Sequence, residues 1–315
     1  MSAQAEGLVV APRRRLRDNA VVVALRGSHQ AIFGGAVLSV VILIALLAPW
    51  IAPYGEHERV GEVFEPPSSA HWLGLDDGGF DMVSLMMFGT RVSLIVGFSA
   101  ALVAMLIGGS VGIIAGFFGG RTDTLLMRIT DYFISIPDLP LMIVVAAVWG
   151  RSLRNIILII GVIYWTSTAR VVRAQVKSVR ERGYIRRTRV LGASNVRLIV
   201  RHVLPQVAPL LVASTVLTIA VAIFDETALA FLGLSDPSTI SLGSIMQHAF
   251  DRAAISTGAW WAIVPPGVLV TLLILACSLI GGALEDALNP RLRVAHLSAR
   301  TFRLRPLVGR GKDAL

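Results

Sequence analysis

One group of residues in the chain has the types that bind metals. His71 lies close in sequence to three aspartates, Asp76, Asp77 and Asp81. Imidazole and carboxylate groups bind zinc, but the same side chains also cap the turns of a polar loop. We favour the second interpretation and predict no metal site.

No motif of nucleotide or zinc-protease chemistry accompanies this group. The chain lacks the phosphate-binding pattern G-x-x-x-x-G-K-[ST], and the string GRGKDAL at 309–315 has neither its spacing nor its strand and helix context. It also lacks H-E-x-x-H and C-x-x-C. Its single cysteine, Cys277, cannot form an intrachain disulfide, and we interpret it as a small core residue. We therefore predict no catalytic residues and no cofactor.

A pair of adjacent acids, Asp225 and Glu226, follows a long apolar run. An ionised side chain at the centre of a bilayer costs about 2.5–3.5 kcal/mol even on the lenient insertion scale. We expect both acids near the outer end of a membrane span, facing water or protein. They are either structural or part of a pore or outer gate. Elsewhere, Arg128 and Asp131 have the helical spacing of an ion pair.

The elements that position these residues are membrane helices. Hydrophobic residues make up 55% of the chain and charged residues 16%, with a mean hydropathy of +0.71, whereas soluble domains are about 25% charged. About 20 apolar residues cross a bilayer. We predict an all-α polytopic protein with six transmembrane helices, within 31–51, 92–118, 132–150, 153–172, 206–224 and 260–284.

The distribution of basic residues orients these spans. The net charge of +9 could suggest nucleic acid, but most basic residues border apolar runs. With six spans, 24 of the 29 Lys and Arg residues fall on the N-terminal side of the membrane. The positive-inside rule then places both termini and the loop at 170–205 in the cytoplasm. The first external loop is acidic.

Glycines recur every fourth residue in GGSVGIIAG, at Gly108, Gly112 and Gly116. Residues with this spacing lie on one face of a helix, where they allow a neighbouring backbone to approach closely. We predict a helix-packing face.

The most basic segment, YIRRTRVLGASNVRLIVRHVLP, occupies 184–205 between two spans. Val196, Ile199, Val200 and Val203 have the spacing of an amphipathic helix. A second, more basic helix is predicted upstream from Val176, Val179 and Gly183 to Ile185, and Gly192 to Asn195 would separate the two. The resulting helix-turn-helix outside the bilayer is either a lipid-facing basic surface or a docking element for a soluble partner.

This segment resembles the cytoplasmic loop of binding-protein-dependent ABC importer permeases. In that family, three residues separate the sequence Glu-Ala-Ala from a glycine. A string of the form apolar-x-Leu-Pro follows that glycine. Gly192, Leu204 and Pro205 match in register, whereas Arg186, Arg187 and Thr188 replace Glu-Ala-Ala. The resemblance implies an ATPase-docking loop with these residues: Tyr184, Arg186, Arg187, Thr188, Leu191, Gly192, Ala193, Ser194, Asn195 and Pro205.

A second string, HWLGLDDGGFDMVSLMMFGTRVSL at 71–94, is similar to the corresponding string of the C-type permeases of dipeptide, oligopeptide and nickel importers. It departs at Trp72, Leu75, Phe80 and Leu85, two of which replace arginines. Further matches are LLMRITDYFISIP (125–137), FLGL (231–234), LGS (242–244) and DALNPRLR (286–293). The resemblance therefore covers about residues 30–293.

The resemblance implies a type I ABC importer permease fold in a bacterial plasma membrane. It divides the chain into a cytoplasmic tail (1–30), a first helix with an external loop (31–91), a permease core (92–286) with a coupling loop (173–205), and a second cytoplasmic tail (287–315). The implied partners are a homologous permease, two ATPase subunits and an external solute-binding protein.

Short peptides are the expected solute, because they are the commonest substrate of this subfamily. Nickel complexes, glutathione, haem and oligosaccharides stay open as alternatives within the family. Outside it, a secondary transporter or a membrane anchor subunit would also be polytopic, although a secondary transporter usually shows internal repeats or ionisable residues within its spans.

Overall fold

The computed structural model describes residues 28–288. The N-terminal residues 1–27, and the C-terminal tail with the greater part of DALNPRLR, lie outside the described residues. The α-helices are α1 (His29–Ile51), α2 (Met82–Phe118), α3 (Gly120–Ile134), α4 (Asp138–Trp149), α5 (Leu153–Arg180), α6 (Gly183–Val190), α7 (Asn195–Leu198), α8 (Leu204–Phe231), α9 (Leu242–Asp251) and α10 (Val264–Leu288). A π-helical turn, Ile199–Val203, joins α7 to α8.

Five helical stretches of the described chain are long and apolar enough to cross a membrane: α1, α2, α5, α7 continuing into α8, and α10 with the 3₁₀ turn before it. A sixth span exists if the pair α3 and α4 counts as one, although the two helices are bent by 83°. The predicted all-helical polytopic fold is confirmed, and the segment predicted as its third span is the one that is broken.

Three predicted span boundaries were wrong. The second span begins at Met82 rather than near residue 92, so the predicted division between 91 and 92 cuts through α2. The predicted span 132–150 contains the break between α3 and α4. That break has a local cause, because Pro137 has no N–H group and disfavours a helical conformation at Ile136. The predicted 153–172 continues as helix to Arg180.

Helix α2 is the centre of the fold. It packs most extensively against α5 and also contacts α8 and α1. The predicted glycine face lies against α5: a Cβ atom at Gly108 would lie 2.3 Å from the Trp165 carbonyl oxygen, and one at Gly112 would lie 2.6 Å from that of Ala169. A Cβ at Gly116 would lie 2.8 Å from the Cβ of Val176. Only glycine allows the two backbones to approach this closely.

The loop between α1 and α2 packs against the start of α2 and the turn before α10. His71 Nδ1 lies 3.2 Å from Asp81 Oδ1, and Asp81 also accepts a hydrogen bond from the Ser84 backbone N–H at 2.9 Å, which caps α2. Asp76 accepts hydrogen bonds from the backbones of Gly78 and Phe80, although burial raises its pKa. These acids cap turns and a helix, and residues 28–288 contain no group of three or more metal-ligand side chains arranged to hold an ion.

Candidate functional site

The basic segment connects α5 to α8 at one end of the helix bundle. Gly183 to Ile185 of the predicted upstream helix begin α6, whereas Val176 and Val179 belong to the last turns of α5. The helix after the turn is not independent either, because α7, the π-helical turn and α8 form one helical stretch from Asn195 to Phe231. The segment is therefore a short connection between two membrane helices.

The apolar face predicted for this segment was partly wrong. Val196 and Val200 are exposed, whereas Leu198 and Val203 are fully buried against the ends of α5 and α8. Leu198 and Val203 are five residues apart, which the wider π-helical turn accommodates. Pro205 lies two residues beyond Val203, and its lack of an N–H group removes the hydrogen bond that a regular α-helix would make there. The 3.6-residue period of a regular α-helix could not predict this change in which apolar residues are buried.

The turn between α6 and α7 has well-defined hydrogen bonds. Gly192 has a φ of +86°, and its N–H donates to the Arg189 carbonyl at 3.0 Å. The Ala193 N–H donates to the Thr188 carbonyl at 3.3 Å, and together these two bonds form a Schellman motif. Ser194 Oγ then accepts from the Arg197 N–H at 3.3 Å and caps α7.

Several polar contacts hold the base of the segment. Arg182 Nη1 donates to Gln206 Oε1 at 2.6 Å, and the Gln206 amide donates to the Tyr184 hydroxyl. Arg186, in the place of the family's glutamate, pairs with Glu181, and this hydrogen bond lowers the pKa of Glu181. Ile185 is fully buried beside these contacts. The position of the segment is therefore set by both helices that it connects.

The tip of the segment, in contrast, is open. Val190 is 87% exposed and Leu191 86% exposed. Arg187 and Asn195 are exposed nearby, whereas Thr188 donates to the Tyr184 carbonyl at 2.8 Å. Pro205 lies in the first turn of α8, beyond the π-helical turn. The structure thus gathers most of the predicted docking residues around one exposed apolar tip with basic neighbours.

Ion pairs that were not predicted connect the base of this segment to the broken span. Asp123 of α3 pairs with both Arg173 and Lys177 of α5, and its Oδ2 lies 2.7 Å from Lys177 Nζ. Asp131 pairs with Arg170 at 2.5 Å, not with Arg128 as its helical spacing predicts. Pairs that join residues about 40 or 50 positions apart leave no periodic signal in a sequence.

The predicted acidic pair lies near the end of α8, with both side chains against protein. Glu226 is 1% exposed, and Ser93 Oγ donates to its Oε2 at 2.8 Å. Asp225 is 4% exposed, and its Oδ2 has no hydrogen-bond partner among residues 28–288. The Tyr164 hydroxyl of α5 is its polar neighbour. The two acids therefore have different surroundings.

Comparison with known families identifies two matching regions. Residues 108–294 match the family described as the binding-protein-dependent transport system inner membrane component. Residues 14–67 match the N-terminal transmembrane domain of oligopeptide transport permease C.

Individual proteins match along most of the chain. The dipeptide transport system permease protein DppC of Haemophilus influenzae is 36% identical over 275 residues, which is 84% of this chain and 92% of that protein. The di/tripeptide permease DppC of Pseudomonas aeruginosa is 35% identical (85% and 90%). The oligopeptide permease OppC of Bacillus subtilis is 32% identical (85% and 88%).

One solved structure has a similar fold. A chain of the inward-facing MetNI methionine ABC transporter matches with a TM-score of 0.51, covering 64% of this chain and 97% of that one. At 21% sequence identity, the likeness concerns the fold alone.

Proposed function

The chain belongs to the binding-protein-dependent transport system inner membrane component family, as a C-type permease of the dipeptide, oligopeptide and nickel group, and from this premise we propose that it imports short peptides. It forms half of the translocation pore, with a homologous permease as the other half. Two ATPase subunits supply the energy, and an external solute-binding protein delivers the peptide.

The peptide assignment is supported by the relatives. Those compared above are named for dipeptides, di/tripeptides or oligopeptides, and each aligns with the chain over at least 88% of its own length. Because the alignments include the membrane helices as well as the basic segment, we infer the same class of solute for this chain.

The observation that carries the proposed mechanism is the exposed tip of the basic segment. Val190 and Leu191 are almost fully exposed, although the base of the same segment is buried and hydrogen-bonded. Apolar side chains presented in this way are typical of a protein-binding site. We infer that the tip inserts into an ATPase subunit and that the surrounding residues from Tyr184 to Asn195 complete the contact.

The base of the segment provides a route for the coupling. The segment continues directly into α5 and α8, so a force on the tip acts on both helices. Asp123 ties the end of α5 to α3, which is the first half of the broken span. ATP-driven closure of the ATPase subunits would therefore move α3, α5 and α8 together and switch the pore between its outward-open and inward-open states.

The proposed function can be tested by reconstitution in proteoliposomes. The chain, its partner permease and both ATPases are assembled, with the solute-binding protein present, and uptake of radiolabelled alanyl-alanine is measured. We expect uptake that requires ATP and every component, and no ATP binding by the isolated chain. Uptake without ATP, or nucleotide bound by the isolated chain in a 1:1 ratio, would contradict the proposal.

A further inference from the structure

The end of α2 is held by two arginines, one at the end of α5 and one in α6. Arg180, the last residue of α5, donates from Nη1 to the Phe117 carbonyl oxygen at 2.9 Å. Arg189 of α6 places its guanidinium carbon 5.4 Å from the centroid of the Phe117 ring. At this distance a cation is attracted to an aromatic face. Phe117 is therefore contacted through its backbone by α5 and through its ring by α6.

The hydrogen bond from Arg180 satisfies the end of a helix. Carbonyl groups in the last turn of an α-helix have no partner within the helix, and a cation is favourable at this end of the helix dipole. The chain leaves α2 through Gly119, whose φ is +68°. A Cβ atom at Gly119 would lie 2.7 Å from Arg180 Nη1, so the glycine leaves the space that the guanidinium occupies.

The side chain of Phe117 belongs to the core beneath the basic segment. It is 3% exposed and packs with buried apolar residues of α5, α7 and α8. Leu198 and Val203 of the segment are members of the same cluster, and Ala193 of the turn packs against it. Among the buried members of this cluster in residues 28–288, Phe117 alone comes from α2. This residue is therefore where the basic segment meets the central helix of the fold.

Arg189 connects this core to the exposed tip. Its backbone carbonyl accepts the hydrogen bond from the Gly192 N–H in the turn, and the exposed Val190 and Leu191 follow it directly. Its side chain has no ion-pair partner within 28–288 and lies at the Phe117 ring. The same residue thus belongs to the tip through its backbone and contacts α2 through its side chain.

We propose that Arg189 and Phe117 are positioning residues for energy coupling, because they transmit a displacement of the ATPase-bound tip to α2. The inference rests on the proposed function and adds α2 to the helices that move with the tip. Helix α2 packs against α5, α8 and α1, so a displacement of its end acts on most of the bundle. The contact should therefore determine how many peptides are imported for each ATP hydrolysed.

The test uses the complete reconstituted importer, its solute-binding protein and radiolabelled alanyl-alanine. Arg189→Gln removes the cation and Arg189→Lys retains it, whereas Phe117→Leu removes the aromatic face but keeps an apolar side chain. A double variant combines Arg189→Gln with Phe117→Leu. The control is Arg128→Gln, which changes an exposed arginine of α3 that also has no ion-pair partner in the described part of the chain. Uptake, ATP hydrolysis and the amount of assembled complex are measured for each.

We expect Arg189→Gln and Phe117→Leu each to lower the number of peptides imported per ATP about two- to fivefold, as the loss of one exposed cation–aromatic contact would. Since both changes break the same contact, the double variant should be no worse than the more affected single variant. Arg189→Lys should keep most of the parent's ratio, and Arg128→Gln all of it.

The double variant separates this role from a direct contact between Arg189 and the ATPase. Because Phe117 is buried, such a contact would persist in the Phe117→Leu background, and the two reductions would multiply. Multiplied reductions would overturn the inference. A parent-like ratio for Arg189→Gln, or a loss in Arg189→Lys as large as in Arg189→Gln, would overturn it as well.

Two further outcomes are separated by measurements on the complex itself. If Phe117→Leu prevents assembly, Phe117→Met takes its place in the same comparison, because methionine is flexible and apolar and also lacks the aromatic face. A parent complex that assembles but imports no alanyl-alanine would overturn the proposed function, and this inference with it.

Discussion

At the tip of the basic segment, the backbone conformation of Gly192 determines how the chain turns from α6 into α7. Gly192 has a φ of +86°, in the left-handed region that costs most other residues energy. A Cβ atom at this position would meet no heavy atom within 4 Å. Any effect of a side chain here therefore comes from the backbone and not from a steric clash.

This leads to a prediction for Gly192→Val. A β-branched residue at positive φ costs about 1–3 kcal/mol, so the turn should rearrange and displace Leu191 and Ala193. We expect normal membrane insertion but a loss of coupling, seen as ATPase activity that no longer responds to the loaded binding protein and as reduced peptide uptake in proteoliposomes.

The matched control for this prediction is Gly183→Val. Gly183 is the first residue of α6, a Cβ there would also meet nothing within 4 Å, and its φ is not positive. This variant should couple like the parent. Equal behaviour of the two valine variants would contradict a conformational role for Gly192.

The residues of the site differ in how far the sequence could predict them. The turn at Gly192 was predictable because glycine preference at such a position is a local property. The contacts of Arg182 with Gln206 and of Asp123 with Arg173 join distant parts of the chain, so nothing in the local sequence indicates them.

At the scale of elements, the contact between α2 and α5 is the most extensive in the described chain. Lipid chains are as apolar as the side chains that cover a membrane helix, so such contacts depend on close packing. The repeat of glycines predicted the packing face, but not its partner. The partner became clear only with the structure, in which α5 continues ten residues beyond Arg170 to its end at Arg180.

We predict that Gly112→Ala destabilises the assembled importer. The added Cβ would lie 2.6 Å from the Ala169 carbonyl oxygen and 2.8 Å from the Val172 Cβ, so the helices must separate. Overpacking of this kind costs about 1–3 kcal/mol. The measurement is the apparent Tm of the purified complex, which should fall by several degrees.

The control for Gly112→Ala is Gly35→Ala in α1. A Cβ at Gly35 would meet nothing within 4 Å, and alanine favours a helix over glycine by about 1 kcal/mol. Its apparent Tm should be unchanged or slightly higher. A similar decrease in Tm for both variants would mean that helix propensity or insertion, rather than the contact with α5, limits stability.

The break between α3 and α4 was not predicted, although it affects the topology of the whole molecule. A hydropathy window over 132–150 averages across Ser135 and Pro137, so it predicted one span where the structure has two helices bent by 83°. Helix α3 carries four charged residues, whereas α4 has an acid only at its first position. The sequence therefore predicted an apolar segment here, but not its interruption.

For the molecule as a whole, the orientation of every later element depends on whether α3 and α4 cross the membrane as one span. If they do, the chain crosses six times, and the docking segment lies on the same side as the N-terminus, as the distribution of basic residues predicts. If they form a re-entrant loop, the chain crosses five times, and the segment lies on the opposite side. The side on which residues 150–152 lie distinguishes the two arrangements.

Single cysteines can determine that side, because the chain's own Cys277 is buried. In a Cys277→Ala background, His57→Cys, Arg151→Cys and Val190→Cys are each labelled with a membrane-impermeant maleimide, before and after the cells are permeabilised. All three native residues are exposed. Since 24 of the 29 basic residues fall on the side predicted to be cytoplasmic, we expect the His57→Cys and Arg151→Cys variants to react in intact cells and the Val190→Cys variant only after permeabilisation. Labelling of His57→Cys and Val190→Cys but not of Arg151→Cys in intact cells would instead show a re-entrant loop, and would place the docking segment where no cytoplasmic ATPase could reach it.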